Sequence, residues 1–295
     1  MLSYFFGTPL GPLEWAALRT LGAIVLVAWV FCFVVGEVSG NVSQVDRLWS
    51  LLPVVYAWVV AAYGDFSTRL LLMALLVTAW GARLTFNFAR QGGYRLKFWS
   101  GHEDYRWDVL RQRPEFRARW KWTLFNGLFI SGYQNLLILL FTLPTLVALQ
   151  FRDTPPGWLD AAAAAAMLLL IGMEAVADNQ QWQFQSAKKS KADSGERLPA
   201  ALAKGFVDSG LWARCRHPNY FAEQGVWIAF YFFSVAASGQ WINWSISGAL
   251  LLVILFQGSS AFSEEISAAK YPAYPEYQRS VPRFLLLGRK RPPAA

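Results

Sequence analysis

Long apolar runs confine this chain more than any other feature of its sequence. Residues 17–36, 48–63, 70–89, 124–149 and 158–177 are such runs. Residues 220–262 form another, too long for one helix and interrupted by Ser238, Gly239 and Gln240. A helix crossing the hydrocarbon core of a bilayer needs roughly 20 mostly apolar residues. Within lipid the backbone must satisfy its own polar groups, which leaves helices and closed barrels. Dividing the last run at 220–237 and 241–262 gives the expected fold: an all-α, polytopic, single integral-membrane domain of seven transmembrane helices. Composition agrees, because 55% of residues are hydrophobic and only 16% charged, against about 25% charged in soluble domains. A soluble enzyme, a disordered chain and a disulfide-stapled secreted domain are disfavoured. The first run is expected to stay in the protein. Its apolar stretch is long, no basic residues precede it, and a small-residue cleavage site is missing.

The positive charges orient the bundle. Residues 90–121 carry nine Lys or Arg, 183–216 carry seven and the chain after Phe262 carries six, while 64–69 and 150–157 carry one each. With seven spans the three basic segments fall on one side, which the positive-inside bias assigns to the cytoplasm. The N-terminus is then outside, the C-terminus cytoplasmic, and a bacterial inner membrane is the default location. The net charge of +8 therefore reads as topology rather than nucleic-acid binding. Two cysteines (Cys32, Cys215) and two histidines (His102, His217) build neither a disulfide framework nor a metal centre. The polar segment 186–204 is expected to be a mobile cytoplasmic loop, and 284–295 a basic tail.

Four polar clusters lie at the cytoplasmic ends, where ionisable residues mark candidate sites. In the first, Gln44 and Asp46 open the second span. Asp46 either caps that helix or, with Gln44, faces a ligand. In the second, Arg83 sits one turn after Trp80, either snorkelling to the headgroups or pairing with an anion in a cavity. The third is the box Glu103, Asp104, Tyr105, Arg106, Trp107. It is either a solvated charge run or a set suited to a phosphate-bearing, planar ligand. The fourth joins Asp178 and Gln180 with Trp212, Arg216, His217, Pro218, Asn219, Tyr220 and Glu223. Pro218 suits a first helical turn, and Asn219 and Glu223, four apart, share a helix face. A cap flanked by positive charge would leave Glu223 unexplained one turn into an apolar span. The segment with Glu264, Glu265, Tyr271, Tyr274, Tyr277 and Arg283 either lies on the bilayer surface or folds under the bundle and closes the site. Neither GxGxxG after a strand nor GxxxxGK[ST] is present, so any nucleotide must be bound by the bundle itself.

The set Gly210-Leu-Trp212, Arg216-His217-Pro218-Asn219-Tyr220 and Glu223 resembles the C-terminal cofactor segment of the steroid 5α-reductase superfamily. Asp46 with Trp49, the 103–107 box, and Ala177-Asp178-Asn179-Gln180 with Phe184 are similar to its bacterial branch of unknown function. The resemblance covers about 40–285. It implies a seven-helix membrane reductase with a cytoplasm-facing cavity for NADPH, passing a hydride to a conjugated C=C in a lipophilic enone. Carried over by position, Asn219 and Glu223 meet the nicotinamide end. Arg83, Asp178 and Arg216 belong to the phosphate and ribose shell, and Asp104, Tyr105, Arg106, Gln180, His217, Tyr220, Glu264 and Tyr274 complete the cofactor set. Gln44, Asp46 and Trp80 stand near the reacting carbonyl, where charge builds as hydride arrives. The steroid enzymes place a Tyr at Trp80, and their loop differs from 186–204. The partners implied are a lipophilic small molecule and membrane lipid.

Two other functions compete. Membrane methyltransferases of the isoprenylcysteine or phospholipid type, which use S-adenosylmethionine, also carry Arg-His-Pro-x-Tyr and paired Glu residues. They generally lack the 103–107 box and the Ala-Asp-x-Gln helix end. A non-catalytic lipid-binding bundle is the third reading.

Overall fold

A computed structural model describes residues 9–94, 97, 99 and 101–286. Among them the regular structure is helical, with no strand. The longer helices are α1 (Pro12–Ser39), α3 (Leu52–Tyr63), α4 (Thr68–Arg90), α9 (Trp158–Asp193), α11 (Pro218–Ser238) and α12 (Ile246–Lys270). Shorter ones are α2 (Gln44–Trp49), α5 (Tyr105–Arg111), α6 (Arg119–Phe125), α7 (Gln134–Thr142), α8 (Pro144–Gln150), α10 (Ala200–Ala203) and α13 (Tyr274–Ser280). A π-helical segment, Asn126–Tyr133, joins α6 to α7.

Among the described residues six segments are long and apolar enough to cross a membrane: 12–39, 44–63, 68–90, 119–150, 158–193 and 246–270. The expected span 220–237 forms a helix, α11, of 21 residues, but it lies outside that set. Its Glu223, Gln224 and Ser234 are buried. A helix covered by its neighbours need not match the apolarity of one that faces lipid. The largest departure from expectation is α9. Its 36 residues, at about 1.5 Å each, far exceed a hydrocarbon core of about 30 Å. Residues 186–193, expected to be loop, continue this helix, because the run of Gln, Lys and Ala after Asp178 favours helix. It ends at Asp193, two residues before Gly195, whose φ of 71° is a left-handed conformation that glycine adopts freely.

The chain divides into two compact units. The first comprises residues up to Met167 together with Trp227–Leu252. Its interior is aromatic: Trp80 and Trp227 meet edge to face at 4.9 Å, and Phe141 lies 4.1 Å from Trp227. Helices approach closely where side chains vanish. A Cβ on Gly81 would sit 2.7 Å from the Ser50 carbonyl oxygen, and one on Gly248 would collide with the Leu140 backbone. Small residues serve this purpose in lipid, where packing rather than water expulsion drives association. One end of this unit holds a buried ion pair. Arg69 Nε donates to Asp160 Oδ1 at 2.7 Å, and its other nitrogens reach the carbonyls of Thr154 and Pro155.

The second unit comprises 168–226 and 253–295. Here the tail segment, ambiguous in the sequence, folds inward. Phe206, Tyr274, Tyr277 and Val281 form a buried cluster with Tyr271 and Ala268 beside it. The Tyr277 hydroxyl donates to the Trp212 carbonyl at 2.5 Å, and burial pushes its pKa well above that of a free phenol.

Candidate functional site

The sequence-predicted residues fall into two groups, one in each unit. Gln44, Asp46, Trp80, Arg83, Asp104, Tyr105 and Arg106 belong to the first. Asp178, Gln180, Arg216, His217, Asn219, Tyr220, Glu223, Glu264 and Tyr274 belong to the second.

In the first unit the loop 40–46 and the box 101–107 interlock. Gly40, at φ 72°, ends α1 and turns the chain. Ser43 Oγ then accepts from the Asp104 amide at 2.9 Å, and Glu103 Oε1 accepts from the Val42 amide at 2.7 Å. Asn41 Nδ2 donates to the Gly101 carbonyl at 2.8 Å. Asp46 Oδ2 accepts the Trp107 indole N–H at 3.1 Å. Asp104 caps α5 by accepting from the Arg106 amide, and the Arg106 guanidinium grips the same carboxylate at 2.6 Å. Burial raises the Asp104 pKa, but the Arg106 charge and hydrogen bonds outweigh it and hold the group below the usual carboxylate range. Gln44 is fully engaged: its carbonyl accepts from Arg47 at 2.6 Å and its amide donates to the Asn41 carbonyl. Arg47, which the sequence reading passed over, is buried and also donates to the Gly93 carbonyl at 2.7 Å. Trp80 is part of the aromatic core described above, Arg83 is half-buried, and Tyr105 is exposed.

In the second unit the Arg216-His217 step is an anchor. Arg216 Nε and Nη2 hold Glu264 at 2.7 and 3.2 Å, while Nη1 donates to the carbonyls of Gln278 and Val281. His217 Nε2 meets Glu264 Oε1 at 2.9 Å, and Gln278 Nε2 donates to Oε2 at 3.0 Å. The Arg216 and His217 amides bond the carbonyls of Pro282 and Arg283. The side chain expected to read phosphate therefore ties residues 278–283 to the start of α11. Burial holds the His217 pKa below its ordinary value, against the pull of Glu264. Burial likewise pushes the adjacent Cys215 thiol up to about 11. The His217 ring stacks on Tyr220, and Tyr220 meets Phe256 edge-on.

The rest of the motif faces α9. Gln180 Oε1 accepts the Leu211 amide at 3.0 Å, and the Trp212 indole donates to the Ala177 carbonyl at 3.1 Å. Gly210, at φ 61°, lies against the Gln180 amide where a Cβ would clash. Asn219 Nδ2 reaches Asp178 Oδ1 at 3.5 Å, the long end of a hydrogen bond. Glu223, one turn further along α11, is buried, as are Asp178 and Glu174. Gln181 Oε1 is buried with no hydrogen bond among the described residues. Neither Glu174 nor Gln181 was marked in the sequence, although both lie within one helical turn of Asp178. The structure thus brings Asp178 to Asn219, sets Gln180 against the 210–211 turn, buries Glu223 one turn beyond Asn219, and joins Arg216, His217 and Glu264 to the tail.

The chain belongs to the DUF1295 family, proteins of unknown function, whose model matches residues 32–281. It is similar to a protein of Schizosaccharomyces pombe described as uncharacterized. The two are 37% identical over 278 residues, covering 88% of this chain and 78% of the yeast protein. No solved structure matches the chain.

Proposed function

We propose that this chain is a membrane-embedded reductase that delivers a hydride from NADPH to the conjugated C=C of a lipophilic, steroid- or isoprenoid-like enone. One observation carries the reading. Asn219 Nδ2 meets Asp178 Oδ1 where α9 faces the first turn of α11, Glu223 is buried one turn further along α11, and Gln181 Oε1, within one helical turn of Asp178, is buried without a donor among the described residues. A buried carbonyl oxygen without a donor, as at Gln181, costs about 1–3 kcal/mol and favours a ligand that supplies one. Ribose hydroxyls and a carboxamide N–H₂ are such donors, so these residues fit the nicotinamide nucleoside end of the cofactor. DUF1295 falls in the steroid 5α-reductase-like group, which supports the same choice.

In this reading Asn219 and Glu223 hold the carboxamide and Asp178 and Gln181 the ribose. Arg214, exposed at the mouth of the motif, serves the phosphates in place of Arg216, whose donors close on the protein. NADPH supplies the hydride; the protein supplies placement and electrostatics. The Arg216–Glu264 anchor acts indirectly, by fixing the entry angle of α11 and hence the position of Asn219. We also propose α11 as the seventh span. With it the three basic segments share the cytoplasmic side and the site opens there.

The test is cofactor titration of the purified full chain and two variants. Asn219→Ala and Glu223→Ala are expected to weaken NADPH binding about tenfold or more, with unchanged thermal unfolding. Identical NADPH isotherms in all three proteins would remove the site assignment. Saturable S-adenosylmethionine binding without NADPH binding would instead favour the methyltransferase.

A further inference from the structure

A groove of about 910 Å³ runs along the first unit between α1 and the α6–π segment. Its walls are apolar: Val30 and Phe33 on one side, Leu124 and Leu128 on the other, with Arg119 and Trp120 at one end. It lies well away in sequence from every residue of the proposed cofactor site. We propose that this groove holds an anionic phospholipid of the basic-side leaflet, its acyl chain between the helices and its phosphate on Arg119 and Lys121.

Three features support that occupant. The first is charge. Arg117, Arg119 and Lys121 are exposed, and among the described residues none of them forms an ion pair. They end the segment 90–121, which carries nine basic residues. Glu37, a nearby carboxylate, already accepts from Thr123 Oγ1 at 2.9 Å and Asn126 Nδ2 at 2.8 Å. The second is depth. Arg119 begins a long apolar segment, 119–150, so a headgroup at Arg119 puts the acyl chain alongside Leu124 and Leu128. The third is that the groove is held open by design of the backbone. The π-helical register at Asn126–Tyr133 leaves the Gly127 carbonyl able to take the Trp29 indole N–H at 2.7 Å. That bond satisfies a Trp facing lipid, where an unmet N–H is costly, and it pins α1 at this spacing. A Cβ on Gly127 would come within 3.2 Å of the Phe33 ring, so glycine keeps the floor clear.

Native mass spectrometry of the full chain in mild detergent, titrated with dioleoyl phosphatidylglycerol or dioleoyl phosphatidylcholine, tests this. One phosphatidylglycerol is expected to bind in preference to phosphatidylcholine. Arg119→Gln and Lys121→Gln should each weaken it about fivefold, as befits one surface charge on an anionic lipid. Leu128→Trp, which fills the groove without touching charge, should displace the lipid while the protein stays folded by thermal unfolding. Equal affinity for the two lipids, or unchanged binding in both the charge variants and Leu128→Trp, would overturn the proposal. So would equally tight binding of sn-glycerol 3-phosphate, which would show an anion site without an acyl chain. None of these readouts involves NADPH, so they stand or fall apart from the reductase reading.

Discussion

The clusters at Arg106 and Arg216 use the same chemistry, an arginine gripping a carboxylate, but the protein closes around them to different extents. Arg106 and Asp104 stay about a fifth exposed and lie two residues apart at a helix cap. Arg216 and Glu264 join residues 48 positions apart, and Glu264 is only 2% exposed. Glu264 also takes His217 and Gln278, and Arg216 takes two backbone carbonyls. The first pair decorates a local turn, whereas the second is the joint by which the tail is hung on α11. A charged motif therefore reveals its role through where its partners come from, which residue types alone do not disclose.

That contrast can be broken most forcefully at Glu264. Glu264→Ala leaves Arg216 and His217 buried around a lost charge, and is expected to destabilise the protein by about 3–5 kcal/mol, read as a lower unfolding temperature in detergent. Gly210→Ala comes next. It forces φ 61° on a residue with a Cβ and drives it into Gln180, at about 1–3 kcal/mol. Its effect should vanish from cofactor titrations if the 210–213 turn only supports the site. A smaller effect depends on pH. Because the folded His217 pKa lies below its ordinary 6.5, both states hold it neutral above that value. As pH falls below 6.5 the unfolded chain takes up a proton that the folded one refuses, and stability drops by at most about 1.4 kcal/mol per pH unit. Unfolding temperatures at pH 7.5 and 5.5 should converge in His217→Gln relative to the parent; an unchanged gap would remove His217 as the source. The smallest effect is expected from Arg106→Ala, about 0–1 kcal/mol for a partly exposed pair. A loss as large as that of Glu264→Ala would erase the distinction between the clusters.

Much of the architecture was legible because a bilayer imposes length and apolarity directly on sequence. The runs 17–36, 70–89 and 158–177 all lie inside observed helices. What was not legible follows from packing. Polarity over 186–204 suggested a loop, yet Gln, Lys and Ala make good helix, and α9 runs on to Asp193, two residues before Gly195. Asn219 and Asp178, which meet in the fold, were singled out with Glu223 because i, i+4 spacing puts Asn219 and Glu223 on one face. Arg216 was also singled out, but its partners Glu264, Gln278 and Val281 lie far along the chain. No local pattern could tell an arginine awaiting a phosphate from one already satisfied. The Arg69–Asp160 pair was missed for the same reason, since its members lie 91 residues apart, and the burial of Arg47 beside Gln44 depends on the distant Gly93 carbonyl.

The most direct test of the central claim is calorimetric titration of the purified full chain with NADPH, and in parallel with S-adenosylmethionine. The account predicts saturable NADPH binding at one site per chain and no heat from S-adenosylmethionine. A flat NADPH isotherm from folded protein, whatever the other ligand does, would contradict it.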